Sequence, residues 1–338
     1  MRIAYAASVR SANGFYRGIG PMSALARDGA HEVRSVPMGD DEPTGALAPG
    51  AVDVVLIHRY CGPRALRLAQ AAKERGATVV WDNDDDIGML PKSVATHREW
   101  TGIKWERRLA EMRKLFRLVD LVTTPSELLA SRLREQGAPW VEVIENYVGD
   151  EFTQMARPRR GGVTIGWVAG LEHQMDAERV PVRDALQRLL DERPEVAVAT
   201  IGLGLGLRSD RYHHVEGVTR SDLPGYLVQF HIGIAPLADM AFSRARSNIK
   251  LKEYAAAGVA WLASPVGPYA GMGEKQGGRL VADDGWHGAL LRLVERPREL
   301  RKLAKRAGRW ATGETLARNA RIWTERFEEA IKRSRAAA

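Results

Sequence analysis

The sequence predicts an α/β protein built as two doubly wound parallel sheets, each covered by helices, opposed across a cleft. Three observations carry this. Short, fully apolar, β-branched runs alternate with longer amphipathic stretches along most of the 338 residues, the pattern of parallel sheets buried on both faces. The alternation pauses once, at Arg157-Pro158-Arg159-Arg160-Gly161-Gly162, where charge, Pro and Gly replace any apolar period, as in a linker. After about residue 285 only helical periodicity remains.

In the first half, strands are expected over 3–7, 33–36, 52–57, 78–81, 121–124 and 141–144, with amphipathic helices over 63–75, 100–118 and 127–136. The opening run Ile3-Ala4-Tyr5-Ala6-Ala7 is a short buried strand, because Arg10 and Asn13 end it too early for a signal h-region. In the second half, strands are expected over 164–168, 196–201, 214–215, 232–236 and 261–263, with helices over 182–193, 222–228 and 248–257. An amphipathic helix over 316–332 closes the chain. The boundaries that follow are 1–157 and 158–313, with a terminal segment 314–338. Two such domains place ligands at the carboxyl ends of both sheets.

Composition narrows the class. The apolar and charged fractions are those of a globular protein, and no apolar run approaches the roughly 20 residues needed to span a bilayer. A single cysteine, Cys61, leaves no intramolecular disulfide framework and no Cys-based metal site, and a reducing cytoplasm is the expected location. The net charge of +8 is unevenly placed: bases outnumber acids eight to three from Lys92 to Arg117, and fourteen to six from Arg292 to Arg335. Nucleotide diphosphates, anionic lipid surfaces and nucleic acid are the partners such charge attracts. A GC-rich coding sequence also yields this Ala-, Gly- and Arg-rich composition.

The richest segment runs from Phe242 to Gly258 and follows the strand expected at 232–236, so it leaves a sheet's carboxyl edge and opens a helix. Ser247 is the expected N-cap, with Asn248, Ile249 and Lys250 in the first turn. Arg246 and Lys250 then sit at the positive end of the helix dipole, which costs a few tenths of a kcal/mol unless an anion binds there. Free N–H groups at a helix start form a phosphate site. Glu253 follows Lys250 on the same face, placed to accept hydrogen bonds from hydroxyls. The bland alternative is a solvated helix with a Lys250–Glu253 pair.

Arg246-Ser247-Asn248-Ile249-Lys250-Leu251-Lys252-Glu253-Tyr254-Ala255-Ala256-Ala257-Gly258, followed by Ala263-Ser264, resembles the donor-binding element of the retaining GT-B glycosyltransferases of family 4. It is closest to the subgroup with the pattern K-S-x-x-K-x-x-E-Y-A-A-x-G-x-x-x-x-A-S. The resemblance implies a GT-B fold of two Rossmann-like domains, with the final helix packing back on the first. It also implies transfer of a sugar from a nucleoside diphosphate donor, with UDP-sugars favoured, to a hydroxyl with retention, without metal or other cofactor. In that family the glutamate matching Glu253 binds the nucleotide ribose. The family's paired glutamate eight residues earlier is absent, and Ala245 stands in its place, which leaves the transferred sugar open.

Ile165-Gly166-Trp167-Val168-Ala169-Gly170-Leu171-Glu172-His173-Gln174-Met175-Asp176 is similar to the family's first strand and phosphate-side loop in the C-terminal domain. Gly170 and His173 are donor contacts on this reading, although the Arg and Lys common in that loop are missing. Val215-Glu216-Gly217-Val218-Thr219 resembles the turn facing the nucleobase. In the first half, Gly14 and Arg17 lie in the first strand–helix connection. Glycine there lets backbone approach a ligand, and Arg17 is expected to reach a phosphate across the cleft.

Trp81-Asp82-Asn83-Asp84-Asp85-Asp86 leaves a strand's carboxyl end with four carboxylates in five positions, costly unless cations or hydroxyl donors share the site. Three readings compete: an acceptor site with Asp84 and Asp85 catalytic and Asp86 binding acceptor, an Asp-x-Asp metal site, or a solvated capping loop. The first is preferred, because the diphosphate element lies on the other domain. Lys104, Arg107 and Arg108 on the basic helix are the remaining acceptor-binding candidates, resting on an anionic membrane face or on a charged acceptor. Envelope glycan or a lipid-linked precursor is the expected acceptor, with modified bases in DNA the alternative and a non-catalytic nucleotide-sugar binder the second. No obligatory protein partner is expected.

Overall fold

A computed structural model describes residues 1–8, 12–38, 47, 50–91, 103–152 and 161–337. The linker residues 157–160, and the start of the basic helix at 100–102, lie outside the described residues.

The first half forms a six-stranded parallel sheet in the order β2-β1-β3-β4-β5-β6, from Arg2–Ala6 (β1), Glu32–Ser35 (β2), Val54–His58 (β3), Thr78–Asp82 (β4), Leu121–Thr124 (β5) and Val141–Val143 (β6). Side chains alternate faces along each strand. Val55 and Ile57 pack beneath Pro63–Glu74, Ile103–Phe116 and Glu127–Glu135, with Leu68, Met112, Leu115 and Leu129 in the same core. Val54 and Leu56 point the other way, onto Met22 and Leu25 of Gly20–Arg27. The run Val54–Ile57 is buried on both faces, which is why it is continuously apolar.

The second sheet has the order β12-β11-β10-β7-β8-β9, from Val163–Ala169 (β7), Val196–Gly202 (β8), Tyr212–Val215 (β9), Ile232–Ala235 (β10), Ala260–Ala263 (β11) and Gly278–Leu280 (β12), again parallel throughout. The edge strand β12 is absent from the sequence expectation; three residues, Gly-Arg-Leu, carry too little apolar pattern to show it. Val182–Glu192 and Trp286–Glu295 cover one face through Leu186, Leu189, Leu190, Leu290 and Leu293. Leu223–Leu227 and Ile249–Ala256 cover the other, with Leu251 and Tyr254 buried on the sheet. Tyr254 lies flat where Gly233 has no side chain, and its hydroxyl donates to the Ile234 carbonyl at 3.0 Å. Gly258 ends this helix at φ +66°, a left-handed turn that a residue with a Cβ adopts only with strain.

The chain ends on the first sheet. The expected terminal helix is broken into Leu316–Asn319 and Arg321–Ala337, and Trp323, Phe327 and Ala330 are buried in the core containing Ile3, Val54, Leu56 and Val80. Where the chain crosses back, Val148 pairs with Thr315. Buried Lys252 is held there by Glu145 and Glu314, each at 2.7 Å. Among the described residues no helix is long and apolar enough to cross a membrane.

In both sheets the order in which strands are added reverses at a switch point, β1/β3 in the first and β7/β10 in the second. The connections leaving those strands' carboxyl ends open onto common ground, the place where open α/β sheets hold ligands.

Candidate functional site

A cavity of about 900 Å³ lies between the two halves at these strand ends. The first half contributes Asn13, Tyr16, Asp84, Asp85 and Asn146; the second contributes Gly170, Glu172 and His173, the 216–220 turn, and Arg246, Ser247, Lys250 and Glu253.

On the C-terminal wall, the Phe242–Gly258 segment sits as expected after β10, with its helix at Ile249–Ala256. The cap differs. Asn248, not Ser247, holds the N-cap position and gives no side-chain cap, while the Ser247 hydroxyl accepts from Asn146 Nδ2 across the cleft at 2.9 Å. The Leu251 N–H is taken by the Asn248 carbonyl at 3.0 Å, and among the described residues no side chain caps the N–H groups of Ile249 and Lys250 ahead of it. Arg246 Nη1 lies 3.1 Å from His173 Nε2, and its Nη2 donates to Glu172 at 3.3 Å. A guanidinium only donates, so Nε2 of His173 accepts, and Nδ1 carries the proton it gives to Asp176 at 2.6 Å. Burial and the nearby Arg246 and Lys250 push the His173 pKa well down, so the ring is neutral and orients Arg246. Burial raises Asp176 to about 6.

Lys250 donates to the Val168 carbonyl, and burial, opposed by Glu253, lowers it to about 8. Burial raises the pKa of Glu253, which accepts a hydrogen bond from Tyr16 of the first half. Tyr16 lies in a π-helical turn, Phe15–Ile19, a rare conformation that recurs at functional sites. Arg220 packs over Phe15 and Tyr16 and pairs with Glu151.

On the N-terminal wall, every carboxylate of the acidic turn has a cation. Asp82 accepts Arg17, Asp86 accepts Arg132, and Arg59 bridges Asp84, 2.7 Å from Nε, and Asp85. Arg59 sits at φ +60°, a strained position for a residue with a side chain. Burial works against ionisation of Asp84, but Arg59 and His58, whose Nε2 is 3.3 Å away, hold its pKa well below the usual carboxylate range. Asp85 goes the other way: burial and the Asp84 charge outweigh Arg59, and its pKa is raised. Two adjacent carboxyls driven apart in this way can divide acid and base roles.

Several sequence-derived site residues lie elsewhere. Arg17 does not reach the cleft: it is fully buried, with its donors consumed by Asp82, the Ile144 carbonyl and Asn146. An arginine in a glycine-rich connection resembles a phosphate ligand until Asp82 is seen beneath it. Gly14 is buried and does not line the cavity, and Asn248 stands beside the lining residues. Asp86 turns away to Arg132, whose Nη1 also donates to the Ala241 carbonyl at 3.1 Å. Lys104 and Arg107 are exposed outside the cavity, and Arg108 donates to the Arg59 carbonyl at 2.9 Å. The cavity brings together Asp84, Asp85, Gly170, His173, Arg246, Ser247, Lys250 and Glu253. Sequence reasoning missed Tyr16, Arg59, Asn146, Glu172 and Arg220. Glu172 stood inside a motif already singled out, whereas Tyr16 and Arg59 gave no sequence signal.

The sequence matches no protein-family model and no curated protein sequence. In three dimensions the chain is similar to solved structures over nearly its whole length. Sucrose-phosphate synthase from Thermosynechococcus elongatus matches with a TM-score of 0.69 at 14% identity, covering 100% of both chains. Anabaena HepE in complex with UDP and glucose matches with a TM-score of 0.68 at 12% identity, covering 97% of this chain and 100% of that one. An alpha-glucosyltransferase in complex with UDP matches with a TM-score of 0.69 at 10% identity, covering 98% and 99%. At such identities the likeness is one of fold, and the fold is GT-B.

Proposed function

We propose that this chain is a glycosyltransferase moving a sugar from a nucleoside diphosphate donor, with a UDP-sugar favoured, to a hydroxyl acceptor. The observation that carries the reading is the cavity itself. Arg246, Lys250 and a helix start converge on one wall, carboxylates stand on the other, and GT-B relatives that hold UDP share the frame. Residues 1–157, with 314–338 returning, form the acceptor side, and 158–313 form the donor side.

In this reading Arg246, Lys250, the Gly170 backbone and the N–H groups of Ile249 and Lys250 take the diphosphate. Their charge is fixed before reaction and stabilises the departing phosphate oxygens, the term that usually dominates such catalysis. His173 holds Arg246 in place, and Glu253 accepts the ribose hydroxyls. Asp85 orients the acceptor hydroxyl, with Asp84 kept ionised beside it by Arg59. The cleft aligns acceptor oxygen and anomeric carbon and excludes water. The likeness to family 4 supports retention, and no step calls for a metal.

Envelope glycan or a lipid-linked precursor is the acceptor we favour. DNA carrying modified bases is the second reading, supported by the exposed bases Lys104 and Arg107. A thermal-shift panel of nucleotides and nucleotide sugars tests the donor assignment, since a ligand of the folded state raises the melting temperature. Turnover of a labelled donor separates enzyme from binder. No response to any nucleoside diphosphate would refute the reading.

A further inference from the structure

Glu172 is the cavity residue whose position the donor assignment leaves unexplained. It lies in the turn Leu171–His173 that follows β7. Its Oε1 is 3.3 Å from Arg246 Nη2 and 3.9 Å from His173 Nε2. The carboxylate folds over Gly170, so closely that a side chain at that glycine would collide with it, and it accepts from its own backbone N–H. Lys250 contributes to the field that favours its charge. A guanidinium, a lysine and a backbone N–H at a strand's carboxyl end are the groups that bind phosphate oxygens. Here they surround a carboxylate, which carries the same sign of charge and similar acceptor oxygens.

We propose that Glu172 is an internal anion that occupies the seat of the donor's diphosphate and competes with it, so that this residue sets affinity and selectivity for nucleotide donors. The inference rests on the diphosphate assignment above. Arg246 Nη2 cannot serve both anions without bringing like charges into contact, so the donor displaces Glu172. The residue is free to leave: its side chain is 39% exposed and stands on a short turn at the cavity mouth. A ligand with two phosphates carries enough charge to displace it, and a nucleoside without phosphates does not.

The test is calorimetric titration of the full chain with inorganic pyrophosphate and with UDP. Glu172→Gln should bind both about tenfold more tightly, the scale of one charge-assisted hydrogen bond no longer contested. Glu172→Ala, as a second variant, should shift in the same direction. Glu178→Gln removes the same charge from an exposed position outside the cavity and should leave pyrophosphate affinity within about twofold. Unchanged affinity in Glu172→Gln overturns the proposal, and weaker affinity makes Glu172 a donor contact instead. Equal tightening in Glu178→Gln reduces the effect to net charge and also overturns it. Arg246→Ala separates the two readings. If it leaves pyrophosphate binding intact, the diphosphate assignment fails and the proposal with it. If it weakens binding while Glu172→Gln does not tighten it, only the proposal fails.

Discussion

Replacing Lys250 by methionine separates a binding cation from a structural one. Methionine keeps most of the volume and removes the charge. In the structure the Lys250 ammonium reaches the Val168 carbonyl and sits near Glu253, Arg246 and Glu172, and burial has already lowered its pKa to about 8. A group whose pKa falls on folding is not stabilised as a cation by the fold. The variant should therefore melt within about 2 °C of the parent, with the lost hydrogen bond to Val168 offset by relief of the buried charge. Binding should respond differently. A charge-assisted contact to diphosphate is worth about 1.5–3 kcal/mol, so UDP affinity should fall by roughly 10- to 150-fold. The pH profile adds a second check. Below pH 8 Lys250 is protonated and contributes; as pH rises through about 8 it loses its charge, so parental affinity falls there, with a midpoint moved upward to the extent that the anion holds the proton. Lys250→Met should show no such step. Calorimetric titration across pH 6.5–9.5, with a melting curve for each protein, reads both effects. Affinity unchanged within twofold, or a melting temperature that drops together with affinity, would refute the assignment and leave the helix as scaffold.

Three further outcomes are expected. Arg17→Met should cost about 3–5 kcal/mol in urea unfolding, because it strands the fully buried Asp82 charge, while UDP affinity of the folded protein stays the same; a binding defect without destabilisation would return Arg17 to the cleft. Asp84→Asn should lower turnover at least tenfold with little change in donor affinity, and parental activity should survive EDTA; loss with chelator and recovery with Mn²⁺ or Mg²⁺ would make the acidic turn a metal site. Asp86→Asn should lower the melting temperature by several degrees through its broken pair with Arg132, yet keep turnover within about twofold, since Asp86 faces away from the cavity; a turnover loss like that of Asp84→Asn would place it at the acceptor.

Most of the two-sheet architecture was legible in the sequence because strands covered on both faces are built mainly from apolar, β-branched residues. Val54-Val55-Leu56-Ile57 announces itself, whereas Gly278–Leu280, a three-residue edge strand, does not. The Arg246–Glu253 segment stood out in the sequence as a candidate ligand element because its charges sit against the helix dipole, a local conflict that sequence reasoning can weigh.

What the sequence determined by itself was therefore local: the alternation of elements, the charged helix start and the acidic turn. What only the tertiary structure decided was which charges meet. Arg17 is 65 residues from Asp82 and Arg59 is 26 from Asp85, yet each neutralises a carboxylate of one turn. Tyr16 and Glu253, 237 residues apart, join across the cleft. A cation's role depends on the nearest anion, and Coulomb energy depends on distance in space and on the surrounding dielectric. Neither quantity is written in chain order. In sequence Arg17 reads as a candidate phosphate ligand; buried on Asp82, the same residue is half of a structural ion pair.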